Sequence, residues 1–215
     1  MDTSSPDGLE FSFANQIANS GKVDVIVSNY FLSGAALFTN AHNGKTFTIL
    51  RHPAEVALSL FHYRRKATWE RSYRKDFNQM TFRDYVNSDY YISNWMVRQL
   101  TATEPWVEIN QSHLERARHM LKQKVFVGEI GQMDETFRQL QAHFGWKATT
   151  SDCVHTYLHQ NPTNTNTHGD ISGGRGGTAW KILVGKEKWD MSLYYYGLEL
   201  FAEQSSRYPP HNTAP

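Results

Sequence analysis

Arg51 and Ser59 are the residues whose types and spacing favour the binding of a phosphate group. A predicted strand over residues 46–51 (TFTILR) ends in Arg51, and ligands of open α/β sheets bind at the carboxyl ends of strands. Pro53 stands at the first position of a helix, and Ser59 lies two turns into it. A guanidinium matches phosphate geometry, and a nearby hydroxyl offers one further donor. The same residues also fit a plain strand-end arginine and a helix serine without a ligand.

Short predicted strands alternate with longer predicted helices along the chain. The helix that follows the strand at 46–51 carries an apolar stripe through Val56, Leu60 and Tyr63, with Ala57 and Phe61 beside it. Such alternation predicts an α/β fold with a parallel sheet. The predicted strands are 23–27, 46–51 and 124–127, and the predicted helices are 9–19, 34–38, 53–66, 81–86, 90–100, 111–122, 133–144 and 187–204.

The length of 215 residues predicts one or at most two domains, and we expect a single domain over 1–215. Residues 147–186 differ from the rest, and their polar, glycine-rich centre predicts a flexible loop over 160–178. The tail over 207–215 is predicted to be disordered.

Composition excludes several classes of protein. The chain has 22 Lys+Arg and 21 Asp+Glu, a net charge of +1, whereas nucleic-acid binders carry a basic excess. Its single cysteine, Cys153, excludes an internal disulfide framework and a multi-cysteine metal site. No stretch has the ~20 apolar residues of a membrane helix. We therefore expect no nucleic-acid partner, no metal and no membrane segment in this chain.

The stretch around Arg51 resembles the 3′-phosphate-binding motif of sulfotransferases that use 3′-phosphoadenosine 5′-phosphosulfate (PAPS), especially the Golgi carbohydrate-type enzymes. In that family a strand ends in Leu-Arg-Asp-Pro and runs into a helix containing Ser-x-(Phe/Tyr). The matching stretches here are LRHP at 50–53 and SLF at 59–61. The resemblance implies that Arg51 and Ser59 bind the 3′-phosphate of the cofactor. His52 departs from the family pattern, which has Asp.

Three further stretches extend the resemblance to about residues 23–205. NWMVRQL at 94–100 is similar to an Asn-x-x-x-Arg-x-Leu helix of the family, and VFVGEIGQMDETFRQL at 125–140 to its strand–turn–helix unit. WDMSLYYYGLELFAEQ at 189–204 resembles its closing helix. The resemblance implies a three-layer parallel sheet of the P-loop nucleotide-kinase type. It also implies sulfuryl transfer from PAPS to a hydroxyl of a carbohydrate or glycolipid, in the Golgi lumen if a longer form carries a membrane anchor.

Two parts of the family pattern are missing. The family binds the 5′-phosphosulfate with a Lys-x-Gly-Thr-Thr-like loop, and neither SGK at 20–22 nor NGKT at 43–46 supplies it, since each leads into a predicted strand rather than a helix. The chain is therefore expected to be truncated at its N-terminus. The catalytic base is not identified, because Ser28 and Asn29 stand where many relatives have Gly-His. One alternative is a non-catalytic relative that binds the nucleotide or a glycan without turnover. A second alternative is a nucleotide kinase of the same fold, which would need the same loop.

Other motifs leave their alternatives open. His155 and His159 have i,i+4 spacing but lack a third ligand, and Arg175 is a second candidate for the 3′-phosphate. The Asn110 sequon would be used only in the secretory pathway. A basic and aromatic segment over 64–76 either attracts an acidic glycan or forms a solvated face balanced by acidic neighbours. Its basic residues are Arg64, Arg65, Lys66, Arg71, Arg74 and Lys75, its aromatic residues are Trp69 and Tyr73, and its acidic residues are Glu70 and Asp76.

Overall fold

The chain forms an α/β structure made mostly of helices with a small parallel sheet of two strands. The computed structural model describes residues 2–39, 44–70, 73–146 and 177–208. Its elements are α1 (Pro6–Ala14), α2 (Phe31–Ala35), β1 (Thr46–Leu50), α3 (Pro53–Lys66), α4 (Phe82–Val86), α5 (Trp95–Thr101), α6 (Gln111–Lys124), β2 (Val125–Glu129), α7 (Met133–Phe144), α8 (Thr178–Lys186) and α9 (Lys188–Arg207), with short 3₁₀ turns at Ile17–Asn19, Lys75–Asn78 and Ile130–Gln132.

The described residues fall into two compact units. The first comprises those within Met1–Thr48 and Trp95–Phe126, and the second those within Ile49–Asn94 and Val127–Pro215. In the first unit α5 packs against α6 and α2. In the second, α3 packs against α8 and α9. The α/β class is confirmed, whereas the three-layer form and the single domain over 1–215 stay predictions.

Helix α3 begins at Pro53, as predicted, because a proline at the first helical position loses no hydrogen bond. Its buried face runs through Ala54, Ala57 and Phe61, which belong to the core cluster of the second unit. The other buried members of that cluster are Phe77, Tyr85, Val86 and Leu183. The predicted apolar stripe at Val56, Leu60 and Tyr63 is instead exposed, so the helix is turned by about one residue from the predicted orientation.

Side chains close the outer edge of β2. The Gln204 amide donates to the Val127 carbonyl (2.7 Å) and accepts from the Val127 N–H (3.1 Å). The Thr136 hydroxyl does the same for Glu129, at 2.9 Å in both directions. The backbone N–H and C=O groups of successive strand residues face opposite edges of the strand. Those of Val127 and Glu129 therefore face away from β1. Helices α9 and α7 thus take the place that a further strand would occupy beside these residues.

Replacing Gln204 with alanine is expected to lower the free energy of unfolding by about 2 kcal/mol, because Val127 is fully buried and would lose both partners. Urea unfolding followed by tryptophan fluorescence measures the change. Glu203→Ala, one position earlier and exposed, is the matched control. Equal stability of the two variants would show that water replaces the amide.

One predicted strand is wrong, and one helix was not predicted. Residues 23–27 form no strand, and Val25 and Val27 are exposed. A β-branched run becomes a strand only where another backbone pairs with it, and no described strand does so here. Residues 178–186 form helix α8, whose Leu183 is fully buried. The sequence did not predict this helix, and only residue 178 belongs to the predicted loop over 160–178. Of the predicted loop over 160–178, only residues 177 and 178 are described. Of the tail over 207–215, residues 209–215 lie outside the described residues, and Arg207 is the last residue of α9.

Candidate functional site

Arg51 lies directly after β1 and two residues before α3, at the carboxyl edge of the sheet. Its side chain is 24% exposed. Its Nε lies 3.6 Å from a carboxylate oxygen of Glu55, which is an ion pair too long for a hydrogen bond. Within the described part of the chain, no hydrogen bond uses the five N–H donors of this guanidinium. A cation with unused donors is suited to bind an anion.

Ser59 lies on the same side of α3 as the Arg51–Glu55 pair, because residues four apart share a helix face. The side chain is half-buried. A serine within a helix often bonds the carbonyl four residues before it, yet the Ser59 hydroxyl makes no hydrogen bond to any described residue. Arg51 and Ser59, predicted together from the sequence, are thus brought to one face with free donors, and Glu55 lies between them along the helix.

His52 occupies the N-cap position of α3 without capping it by its side chain. The imidazole stacks on Trp180 of α8, with ring centroids 5.3 Å apart, and meets the edge of Tyr194 of α9 at 5.5 Å. The departure from the family's Asp therefore has a packing role in this chain. The first turn of α3 keeps the positive end of its dipole beside Arg51.

Glu129 is a residue that sequence reasoning missed at the same edge. It is the last residue of β2, only 8% exposed, and its carboxylate has no hydrogen bond or ion pair with another described residue. The sequence feature that could have revealed Glu129 is a charged residue at the end of a buried strand, the same feature that indicated Arg51. The carboxyl edge of the two strands thus carries one cation and one carboxylate.

Asn94 has a structural role that the sequence did not reveal. Its side chain accepts hydrogen bonds from the N–H groups of Trp189 (3.0 Å) and Asp190 (3.2 Å), and donates to the Lys186 carbonyl (2.9 Å). Its own N–H donates to the Glu187 carboxylate (3.0 Å). Asn94 therefore caps the start of α9 and the end of α8 from a distant part of the sequence.

The basic segment is largely engaged in local contacts. Arg64 donates to the Tyr85 hydroxyl and the Tyr90 carbonyl, at 2.9 Å each, and burial raises the pKa of Tyr85. Arg74 pairs with Asp76 at 3.2 Å. Trp69 is exposed. These contacts favour a solvated, internally balanced face.

The structure assigns no ligand-binding role to the other candidate residues that it describes. Asn110 caps α6 by accepting from the N–H groups of Ser112 and His113. Arg71, His155, His159 and Arg175 lie outside the described residues. Among the residues that are described, no group of three or more His, Cys, Asp or Glu side chains is arranged to hold a metal ion. No helix in the described ranges combines the length and the apolar character of a membrane span.

Comparison with known proteins supplies no relative. No family model matches the chain, and neither a curated protein nor a solved structure is found to match it. The geometry of Arg51, Ser59 and their neighbours, together with the sequence resemblance, therefore carries the assignment of a function.

Proposed function

We propose that this chain is a sulfotransferase that transfers a sulfuryl group from PAPS to a hydroxyl of a carbohydrate or glycolipid, and that Arg51 and Ser59 bind the 3′-phosphate of PAPS. The observation that carries the proposal is the pair of unused donor groups on one face of the β1–α3 junction. The Arg51 side chain is 24% exposed and its guanidinium gives no hydrogen bond to a described residue, so its donors are available to an anionic ligand. A terminal phosphate supplies two acceptors to Arg51 and a third to Ser59.

The 3′-phosphate lies away from the bond that is broken, so Arg51 and Ser59 act by positioning. The acceptor oxygen attacks sulfur in line, the bond between sulfur and the 5′-phosphate oxygen breaks, and the electron pair leaves with 3′-phosphoadenosine 5′-phosphate (PAP). The hydroxyl proton passes to a general base. Binding energy at the 3′-phosphate fixes the nucleotide for this displacement. The three-layer parallel sheet and the Golgi location belong to the same proposal, because both rest on the resemblance.

The rival function is binding of a phosphoadenosine nucleotide or a glycan without turnover. It is supported by the same unused donors of Arg51 and Ser59, which can bind a phosphate whether or not sulfuryl transfer follows. The two functions share the 3′-phosphate site and differ in whether PAPS is consumed.

The deciding experiment is calorimetric titration of the purified chain with PAP, beside adenosine 5′-phosphate as control. We expect PAP to bind at least about tenfold more tightly, because only PAP carries the phosphate that Arg51 would hold. Equal affinities, or no binding of either nucleotide, would refute the assignment of the site. Where PAP binds, release of labelled sulfate from PAPS onto a panel of glycans separates the enzyme from its non-catalytic rival.

A further inference from the structure

The sequence contains one Asn-x-Ser/Thr pattern in which x is not proline, and it is formed by Asn110, Gln111 and Ser112. This pattern is the acceptor of N-linked glycans in proteins of the secretory pathway. The pattern alone occurs often by chance. A folded protein carries a glycan at such a position only where the asparagine nitrogen is open to solvent and is not needed to hold the structure.

The surface around Asn110 is open. Asn110, Gln111 and Ser112 are all exposed, and so is every residue of the stretch 104–108 that leads to them. The apolar anchors of this stretch lie on either side of the asparagine: Ile109 and Leu114 are both buried, at the two positions that form a hydrophobic staple around an N-cap. The backbone is thus fixed by its apolar neighbours, and the Asn110 side chain has room for a bulky group.

The two ends of the Asn110 amide have different roles. Its Oδ1 accepts hydrogen bonds from the backbone N–H groups of Ser112 (3.0 Å) and His113 (3.3 Å), and so caps α6. The same oxygen lies 2.9 Å from Nδ1 of His113. In contrast, Nδ2 gives no hydrogen bond to a described residue. Because N-glycosylation replaces a hydrogen on the nitrogen and leaves the oxygen as an acceptor, a glycan on Nδ2 is compatible with the cap.

We propose that Asn110 carries an N-linked glycan on Nδ2 while its Oδ1 continues to cap α6. In the attachment step, Nδ2 forms a bond to the anomeric carbon of the first sugar of a lipid-linked oligosaccharide diphosphate. The bond between that carbon and the phosphate oxygen breaks, its electron pair leaves with the lipid diphosphate, and Nδ2 loses one proton to a base of the cellular transferase. This inference rests on the proposed function, because the donor is met in the secretory pathway to which the proposed Golgi location belongs.

The test is mass spectrometry of the full chain isolated from the cells that produce it naturally. Digestion with peptide-N-glycosidase F in heavy-oxygen water converts a glycosylated asparagine to a labelled aspartate. We expect the label at residue 110 in most of the chains. An unlabelled Asn110 in all of them would overturn the inference.

Calorimetric titration of the same preparation with PAP separates this inference from the proposed function. Binding of PAP by a chain with an unmodified Asn110 would overturn the glycan site and leave the nucleotide site standing. A glycosylated chain that does not bind PAP would overturn the nucleotide site and leave the glycan site standing.

Ser112→Ala separates the glycan from the cap. It removes the hydroxyl that the acceptor pattern requires but keeps Asn110 and the backbone N–H of residue 112, so it should lose the glycan and still fold. Asn87→Asp, which changes an exposed asparagine outside such a pattern, is the matched control and should keep the glycan. Equal glycosylation of these two variants in the same cells would place the glycan elsewhere.

Amide hydrogen exchange tests the second half of the proposal. The N–H groups of Ser112 and His113 should exchange equally slowly in the glycosylated chain and in the same chain made in bacteria without a glycan. In Asn110→Ala they should exchange about fivefold faster, the size of a typical N-cap. Exchange in the glycosylated chain as fast as in Asn110→Ala would show that the glycan breaks the cap and would overturn this half.

Discussion

Replacing Arg51 with alanine is expected to weaken PAP binding by about 100-fold, or about 2.7 kcal/mol, with little change in stability. The binding loss is large because a guanidinium can make two charge-assisted hydrogen bonds to a phosphate, and such bonds are stronger than neutral ones. The stability change is small because Arg51 gives no hydrogen bond to a described residue, and its pair with Glu55 is long and partly exposed. Calorimetric titration and urea unfolding measure the two effects on the same protein.

Two further variants sharpen this prediction. Arg51→Lys keeps the charge but loses the planar fork, so its affinity for PAP should lie between that of the unmodified chain and Arg51→Ala. Arg83→Ala removes an exposed arginine from α4 in the same unit and should bind PAP as the unmodified chain does. If Arg51→Ala and Arg83→Ala bound PAP equally well, the 3′-phosphate would have to lie elsewhere.

Replacing Asn94 with alanine is expected to lower the free energy of unfolding by about 3–4 kcal/mol. The amide makes three hydrogen bonds that hold the end of α8 to the start of α9, and Asn94 is buried, so water replaces them poorly. Its backbone also has a positive φ of 56°, where asparagine is tolerated and alanine is strained. Urea unfolding followed by tryptophan fluorescence measures the loss.

The two causes can be separated by a glycine variant. Asn94→Gly removes the amide but accepts the positive φ, so its loss should be about 1 kcal/mol smaller than that of Asn94→Ala. Asn87→Ala, an exposed asparagine at the end of α4, should change stability by less than about 0.5 kcal/mol. A loss in Asn94→Ala no larger than in Asn87→Ala would mean that the junction of α8 and α9 is held by packing alone.

The β1–α3 junction was predictable because its determinants are local. A β-branched run followed by a proline two residues after its charged end specifies a strand, a short turn and a helix start without help from other segments. The same holds for α7, whose apolar periodicity and final Gly145, with a φ of 68°, mark the helix and its end. By contrast, the run at 23–27 has strand propensity but no partner strand, and propensity alone does not pair a backbone.

The sequence by itself determined the α/β class, the position of Arg51 at a strand end, and Ser59 on the helix that follows. Only the tertiary structure decided which of their donors stay unused, that α3 exposes Val56 and Leu60, and that Glu129 is buried beside Gly131. It also decided that Asn94 caps a helix that begins more than 90 residues later and that Gln204 closes the edge of β2. The physical reason is the range of the interactions. Propensity, capping and turn chemistry act within a few residues, whereas burial and the satisfaction of polar groups depend on segments that folding brings together from distant parts of the chain.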